Sequence, residues 1–586
     1  LDDAVAKGIE EIEVEGAAEG YVELFNRYGV SYVFSSPGSE FVPIWEYLAK
    51  YNSQGRKPFY INARHEGLAL SMSKGYSMVT GRPQVILTHV LTGLLHGAME
   101  LKAMYTDGIP VILIVGQNRT HDEEIYGGTP GSHYLSFTEV GGQQRLVQPY
   151  VKWADAPDNN ANILGVMARA FDIASSGIKG PVLLSLSREL IFEKMRRMRM
   201  PFRNPSPTSV DADPTALKKL AEFLAKSENP LIFTRYLGRS PEAVSCLVDL
   251  AGLLSIPVFE TPGYMNFPTN HPLHQGYRIQ PYLGEADLIL LIDCSGWPPW
   301  YPPGSILRSS RATIVFMDLD PLQLKYSIYG YPADMLITAD SSLALPALID
   351  LVKPIIEGET LERIRDRDTR WSAEHQKKRK EWEREALKVK DDEPIDARWL
   401  CYNMNQVVDE NTAIVHETIT HGDVIFMNIE RNRVKTGTQF EAAGPVAHTG
   451  LGQGLGVALG VKLAQPDKTV IALEGDGSFN YNPVTACYGM AQEYCLPFLT
   501  VIFNNQSYAA MKHHDKYFPG GWSVKTGAYY GVYCKPNPEY AKIAEAFGGY
   551  AETVEEPAEV KYALLRALDE LRKDRFALLD VILRQP

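Results

Sequence analysis

The 586-residue chain carries 58 Lys and Arg against 71 Asp and Glu, a formal net charge of -13, and 45% of its residues are hydrophobic. That acidic balance argues against a nucleic-acid or anionic-membrane surface, and no apolar run is long enough to span a membrane as a helix. The six cysteines, at 246, 294, 401, 487, 495 and 534, show no metal-ligand spacing and read as reduced core thiols. The start "LDDAVAKGIEEIEVEG" is too acidic for a secretion signal, so a soluble cytoplasmic protein is expected. Leu1 in place of an initiator Met leaves room for a preceding segment.

In chain order, the apolar runs "VSYVFSS", "QVILTHV", "PVILIVG" and "GPVLLSLS" alternate with helical stretches, as expected for a doubly wound α/β domain over 1–195. The Pro-rich "MPFRNPSPTSVDADP" marks a linker. A second α/β block, 208–355, contains "ENPLIFTRYLG", "EADLILLID" and "ATIVFMDLD". The mixed-charge segment 356–395 holds many opposite charges four residues apart and reads as a solvated connecting helix. A third α/β block fills 396–586, so the fold class expected is α/β, with three doubly wound parallel-sheet domains.

Within the third block, "TVIALEGDG" reads as a buried strand that delivers Asp476 to its C-terminal edge through a turn. A helical stretch follows, and "PFLTVIFNN" is a second buried strand that delivers Asn504 and Asn505 to the same edge. In such βαβ units ligands bind at the strand ends. A carboxylate, an amide oxygen and a backbone carbonyl there suit Mg²⁺, which keeps part of its shell for phosphate and water. Gly475 and Gly477, with Ser478 opening the next helix, let backbone N–H groups approach that phosphate.

The GDGS and NN pair, at this separation, resembles the signature of thiamine diphosphate (ThDP) enzymes. Near the N-terminus, "FSSPGSEFVPIWEYL", "NARHEGLALSMSKGYSMVTGRP" and "GIPVILIVGQ" are similar, in the same order, to the pyrimidine-binding domain of the acetolactate synthase and benzoylformate decarboxylase group. The resemblance implies thiamine diphosphate and Mg²⁺ as cofactors. It places Glu66, in "RHEG", against the aminopyrimidine ring, where an apolar setting is expected to raise its pKa. Asp476, Asn505 and the carbonyl of Ser507 take the positions of the metal ligands. Thr418, Thr420 and His421 lie where relatives contact the diphosphate. Leu451 matches the apolar wedge under the cofactor, with the Thr449 carbonyl beside it.

The same resemblance implies a carbonyl substrate. "THVLTGLLHGAMELKAMYTDGIP" aligns without gaps on the benzoylformate decarboxylase segment and puts His89 on its active-site histidine, while Ser39 falls on its carboxylate-binding serine. Gln117 resembles a glutamine of carboligating relatives, or else caps a strand end. Met511, His513 and His514 would border the pocket; the paired histidines read as catalytic, as a metal pair or as helix surface. His96 reads as structural. FAD is not expected, because "CSGWPPWYPPGS" stands where flavin-binding relatives carry an arginine-rich segment. The activity implied is 2-oxo acid decarboxylation with carboligation, with an acetolactate synthase-like transferase or a 2-hydroxyacyl-CoA lyase as alternatives. In the group the active site forms between subunits, so a homodimer or a dimer of dimers is expected.

Overall fold

The computed structural model of the chain describes all residues except 1–8, 118–137, 139–141, 203–206, 262, 295–311, 327–332, 433–436, 444–448, 513 and 586. Its strands are β1 (Ile9–Glu13), β2 (Tyr32–Ser35), β3 (Phe59–Asn62), β4 (Gln84–Thr88), β5 (Val111–Gln117), β6 (Trp153–Asp155), β7 (Val182–Ser187) and β8 (Arg197–Pro201) in the N-terminal third. The middle contributes β9 (Pro230–Thr234), β10 (Val258–Glu260), β11 (Leu288–Ile292), β12 (Thr313–Asp318) and β13 (Met335–Thr338). The C-terminal third contributes β14 (Thr412–Glu417), β15 (Thr438–Glu441), β16 (Thr469–Gly475), β17 (Leu499–Asn504), β18 (Tyr550–Val554) and β19 (Ala577–Ile582).

Apart from the antiparallel pair β1–β8, these form three wholly parallel sheets, in the orders β3-β2-β4-β5-β7-β6, β10-β9-β11-β12-β13 and β15-β14-β16-β17-β19-β18. The central strands of each are buried along most of their length, as in "ILLI" of β11 and "VIF" of β17, because helices cover both faces of a parallel sheet. The expected α/β class with three parallel sheets is what the chain forms.

The chain divides into two compact units. The first comprises Leu1–Pro207, Thr449–Pro466 and Asn480–Leu496; the second comprises Thr208–His448, Asp467–Phe479 and Pro497–Pro586. In the first unit, the helix Glu66–Thr80 packs closely on the helix Gly454–Ala464. A Cβ on Gly75 would overlap the Val457 carbonyl, and one on Gly456 would overlap the Ser71 hydroxyl. The glycines of "GLGQGLG" therefore serve backbone approach between helices.

The charged segment forms the helix Glu359–Lys388, but it is not simply solvated. Ile364, Arg367, Trp371 and His375 are buried on one face. Arg367 donates to the carbonyls of Leu254 and Ser227 at 2.7 Å, and Trp371 meets Tyr282 edge-on at 5.2 Å between ring centroids. Local charge pairing in the sequence conceals this stripe, since it repeats only about once per turn. Of the cysteines, 294, 401 and 487 are buried while Cys495 is exposed, which corrects the core reading for that one thiol. No helix among the described residues is long and apolar enough to cross a membrane.

Candidate active site

In an open parallel sheet the crevice for a ligand lies where strand order reverses, outside the C-terminal strand ends. In the first sheet the chain runs to β3 on one side of β2 and then returns to β4 on the other, so the reversal falls between β2 and β4. Ser39 follows β2, Glu66 follows β3, His89 follows β4 and Gln117 closes β5. The topology gathers four sequence candidates at one edge. Gln117 is half-buried and pairs in register with Ser187; the residues after it lie outside those described.

Glu66 opens its helix, where the N-terminal N–H groups favour a carboxylate. Ser36 Oγ donates to Glu66 Oε1 at 2.9 Å, and His96 Nδ1 lies 2.7 Å from Oε2. Burial pushes this carboxyl up, but hydrogen bonds from its own backbone N–H, from His96 and from Ser36 outweigh that, so its pKa lies below the ordinary glutamate value. This corrects the expectation of a raised pKa: the polar neighbours, absent from the local sequence, decide the sign. His96, expected to be structural, is a direct partner of Glu66. His65 caps the same helix, its Nδ1 accepting from Gly67 N–H at 3.0 Å.

His89 Nδ1 lies 2.7 Å from Oε2 of Glu40, a glutamate that is 0% exposed, and Val90 N–H donates to Glu40 Oε1 at 3.2 Å. Sequence reading passed over Glu40, although it follows Ser39 within "FSSPGSEFVPIWEYL", because nothing local shows that it meets His89. The hydrogen bond that His89 donates to Glu40 moves the His89 pKa up; burial opposes it. Ser39 Oγ accepts from Arg188 at 3.4 Å, so the hydroxyl is steadied by a nearly buried guanidinium. Thr449 is buried and Leu451 half-buried in the loop leading to the helix Gly454–Ala464. The loop turns through left-handed Gly450 and Gly452, at φ 108° and 92°.

In the second unit, the six-stranded sheet reverses between β14 and β16. Thr418, Thr420 and His421 follow β14, Asp476 follows β16, and Asn505 and Ser507 follow β17, again at C-terminal ends. The helix Asp476–Tyr481 begins directly after β16, without the expected turn. Asp476 is buried, and its carboxyl is pushed up to about 6 by that burial, against backbone N–H groups of Gly477, Ser507 and Asn505. Its Oδ2 is buried with no hydrogen-bond partner among the described residues, and so is Thr418 Oγ1. Buried oxygens of this kind are normally satisfied, so two at one sheet edge fit a bound cation and phosphate.

Asn505 Oδ1 accepts from Ser507 N–H at 3.0 Å and Oγ at 2.9 Å, which shapes the turn that carries the Ser507 carbonyl. Behind it, Asn504 Nδ2 donates to Asp580 Oδ1 at 2.8 Å and fixes the end of β17. The first asparagine of the pair thus positions the second. A Cβ on Gly477 would lie 2.6 Å from the Tyr508 ring, whereas one on Gly475 would meet nothing closer than 3.7 Å. Ser478 is buried, and Thr420 is exposed. His421 is buried, its ring 5.5 Å from that of Phe503, and burial pushes its pKa down to about 4. Met511 is 54% exposed. His513 lies outside the described residues, as does most of the "CSGWPPWYPPGS" segment, and of His514 only the helical backbone is described.

Two parallel sheets, each offering polar side chains at its reversal point and one of them a buried unsatisfied carboxylate oxygen, define an enzyme that binds a phosphorylated cofactor. Residues 16–144 match the family described as "Thiamine pyrophosphate enzyme, N-terminal TPP binding domain", and 427–581 match its "C-terminal TPP binding domain". The chain belongs to the thiamine diphosphate enzymes, in the group of acetolactate synthase and benzoylformate decarboxylase.

Among its relatives, acetolactate synthase isozyme 3 large subunit of Escherichia coli is 24% identical, with 97% of this chain and 95% of the relative covered. Benzoylformate decarboxylase of Pseudomonas aeruginosa is 26% identical, with 95% and 97% covered. The fold matches that of benzoylformate decarboxylase from Polynucleobacter necessarius at a TM-score of 0.75 and 21% identity, covering 98% of this chain and 99% of that one. A thiamine diphosphate-dependent 4-hydroxybenzoylformate decarboxylase from Rhodococcus jostii gives a TM-score of 0.75 at 22% identity, covering 97% and 99%.

Proposed function

We propose that the protein is a ThDP- and Mg²⁺-dependent carbon–carbon lyase that decarboxylates a 2-oxo acid and passes the remaining acyl unit to a proton or to a second carbonyl compound. The observation that carries this reading is the placement of Ser39 and His89 after adjacent strands at one reversal point, which supports a substrate-carboxylate contact for the hydroxyl and a proton-relay role for the ring. Bound thiamine diphosphate supplies the carbon nucleophile and the electron sink. Ser39 holds the substrate carboxylate, and His89 delivers the proton that replaces CO₂. Glu66 holds the aminopyrimidine, with Thr449 and Leu451 fixing its orientation; Gln117, Met511, His513 and His514 border the substrate.

Asp476, Asn505 and the Ser507 carbonyl would hold Mg²⁺, and Thr418, Thr420, His421, Gly475, Gly477 and Ser478 would receive the diphosphate. Neutral His421 is suited to that task, because a ring nitrogen can donate without carrying a charge that burial penalises. Domains over 1–195, 208–355 and 396–586, with the helix between the last two, are the organisation we propose. Pairing of the Glu66 half of one subunit with the Asp476 half of another makes the active enzyme a homodimer or a dimer of dimers in the cytoplasm.

The acetolactate synthase relatives support a second reading, in which the acceptor is another 2-oxo acid; a 2-hydroxyacyl-CoA lyase is the third. CO₂ release from pyruvate, branched-chain 2-oxo acids and benzoylformate, with ThDP and Mg²⁺ and with product analysis, separates them. Aldehyde from the larger acids supports the decarboxylase, and acetolactate from pyruvate supports the synthase. Silence across the panel with ThDP bound would exclude both.

A further inference from the structure

We propose that Glu40 is the positioning residue of His89, holding its ring by Nδ1 in one orientation and as a proton donor, so that Nε2–H is left for the substrate. This rests on the decarboxylase reading of His89. The carboxylate spans the reversal point of the first sheet: it stands just after β2 and binds two consecutive groups just after β4, His89 Nδ1 at 2.7 Å through Oε2 and Val90 N–H at 3.2 Å through Oε1.

Three further features make this a constructed contact. Glu40 is 0% exposed, so its carboxylate has exchanged water for these partners. Two glycines leave room for it: a Cβ on Gly38 would lie 2.7 Å from Glu40 Oε1 and 2.8 Å from His89 Nδ1, and one on Gly116 would overlap the Glu40 side chain. Val90, a β-branched residue, is held at φ 36°, a conformation such residues avoid unless the surroundings enforce it. Backbone strain beside His89 and a buried carboxylate gripping both residues are parts of one arrangement.

The charged groups facing His89 are Glu40 on the turn after β2, Glu66 at the head of its helix and Arg188 at the head of the helix Arg188–Phe192. The two carboxylates favour imidazolium, while Arg188 and burial oppose it, and the direct hydrogen bond to Glu40 is the largest influence. A neutral ring bound through Nδ1–H would leave Nε2 as an acceptor. The protonated ring keeps the Nδ1–H bond to Glu40 and presents Nε2–H as a donor.

The test is a titration of His89 in the ThDP- and Mg²⁺-loaded enzyme by NMR of ¹⁵N-labelled histidine, with the resonance assigned by its loss in His89→Asn. The wild-type midpoint is expected above that of an ordinary histidine and is expected to fall in Glu40→Gln, which keeps shape but removes charge. For the 2-oxo acid that turns over, kcat of Glu40→Gln is expected to drop about 10²-fold, the low end of what a general acid contributes. Glu40→Gln should add no further loss in the His89→Asn background. A wild-type midpoint at or below the ordinary value overturns the proposal, and this needs no folded variant. An unchanged midpoint in Glu40→Gln, or full additivity with His89→Asn, overturns it equally. Absence of turnover on every 2-oxo acid would overturn the functional reading alone, because midpoints are read without turnover.

Discussion

His96 Nδ1 stands 2.7 Å from Glu66 Oε2 while Ser36 supports the other carboxylate oxygen, so Glu66 is clamped from two elements. Burial alone would raise its pKa, and these bonds reverse the sign. Replacing His96 by Leu removes one of the opposing influences. The acidic limb of the kcat/KM profile is then expected to move to higher pH, since more of Glu66 is protonated at a given pH; an unmoved limb would contradict the role of His96.

Glu66→Gln keeps the size of the side chain but not its charge. ThDP and Mg²⁺ are expected to remain bound by calorimetry, while turnover falls by roughly 10²–10⁴-fold. A variant as active as the wild type would remove Glu66 from proton handling.

Asp476 and Asp580 are both pushed up to about 6 by burial, from the ordinary aspartate value of 3.8. A carboxyl whose folded pKa is raised stabilises the fold fully below the unfolded pKa, and that stability is lost as pH rises through the folded one. The cofactor-free protein is therefore expected to lose stability from about pH 4 to just above pH 6. Mg²⁺ with ThDP binds the ionised form, so the Tm gain on adding them should be larger at about pH 7.5 than at about pH 5. Asp476→Asn should flatten this difference and abolish metal-dependent ThDP binding. A Tm gain independent of pH would argue against Asp476 as a metal ligand.

Gly475 and Gly477 should separate in mutagenesis. Gly477→Ala places a methyl 2.6 Å from the Tyr508 ring and is expected to cost about 1–3 kcal/mol by denaturant unfolding. Gly475→Ala meets only ordinary contacts within the protein, so its stability should change little while ThDP affinity falls. Equal losses of stability would mean that Gly475 answers to packing and not to the cofactor.

Arg431 Nη2 lies 2.9 Å from Glu260 Oε1 in the second unit, with both side chains buried and His274 Nε2 3.1 Å from the same oxygen. Burial pushes the His274 pKa down to about 4, so the ring is neutral and Arg431 is the cation that answers Glu260. Arg431→Met should destabilise by about 3–5 kcal/mol, because it strands a buried carboxylate, and Arg431→Met with Glu260→Gln should recover part of that loss. A near-neutral single variant would show that water reaches Glu260.

The sequence by itself determined most of the central strands, the α/β class with three parallel sheets and the thiamine diphosphate family. Continuous apolar runs such as "LILLI" carry their own signal, and the GDGS and NN motifs are contiguous in the chain. It also named Glu66, His89, Asp476 and Asn505, each attached to a motif or strand end. Only the tertiary structure decided what surrounds them. Glu40 became the partner of His89, 49 positions away, because strands β2 and β4 lie side by side, and His96 the partner of Glu66, 30 positions away, because β3 and β4 flank β2. The sign of the Glu66 shift and the buried stripe of the charged helix followed in the same way. A pKa or a buried contact is a sum over spatial neighbours, and sequence order does not record which neighbours the fold supplies.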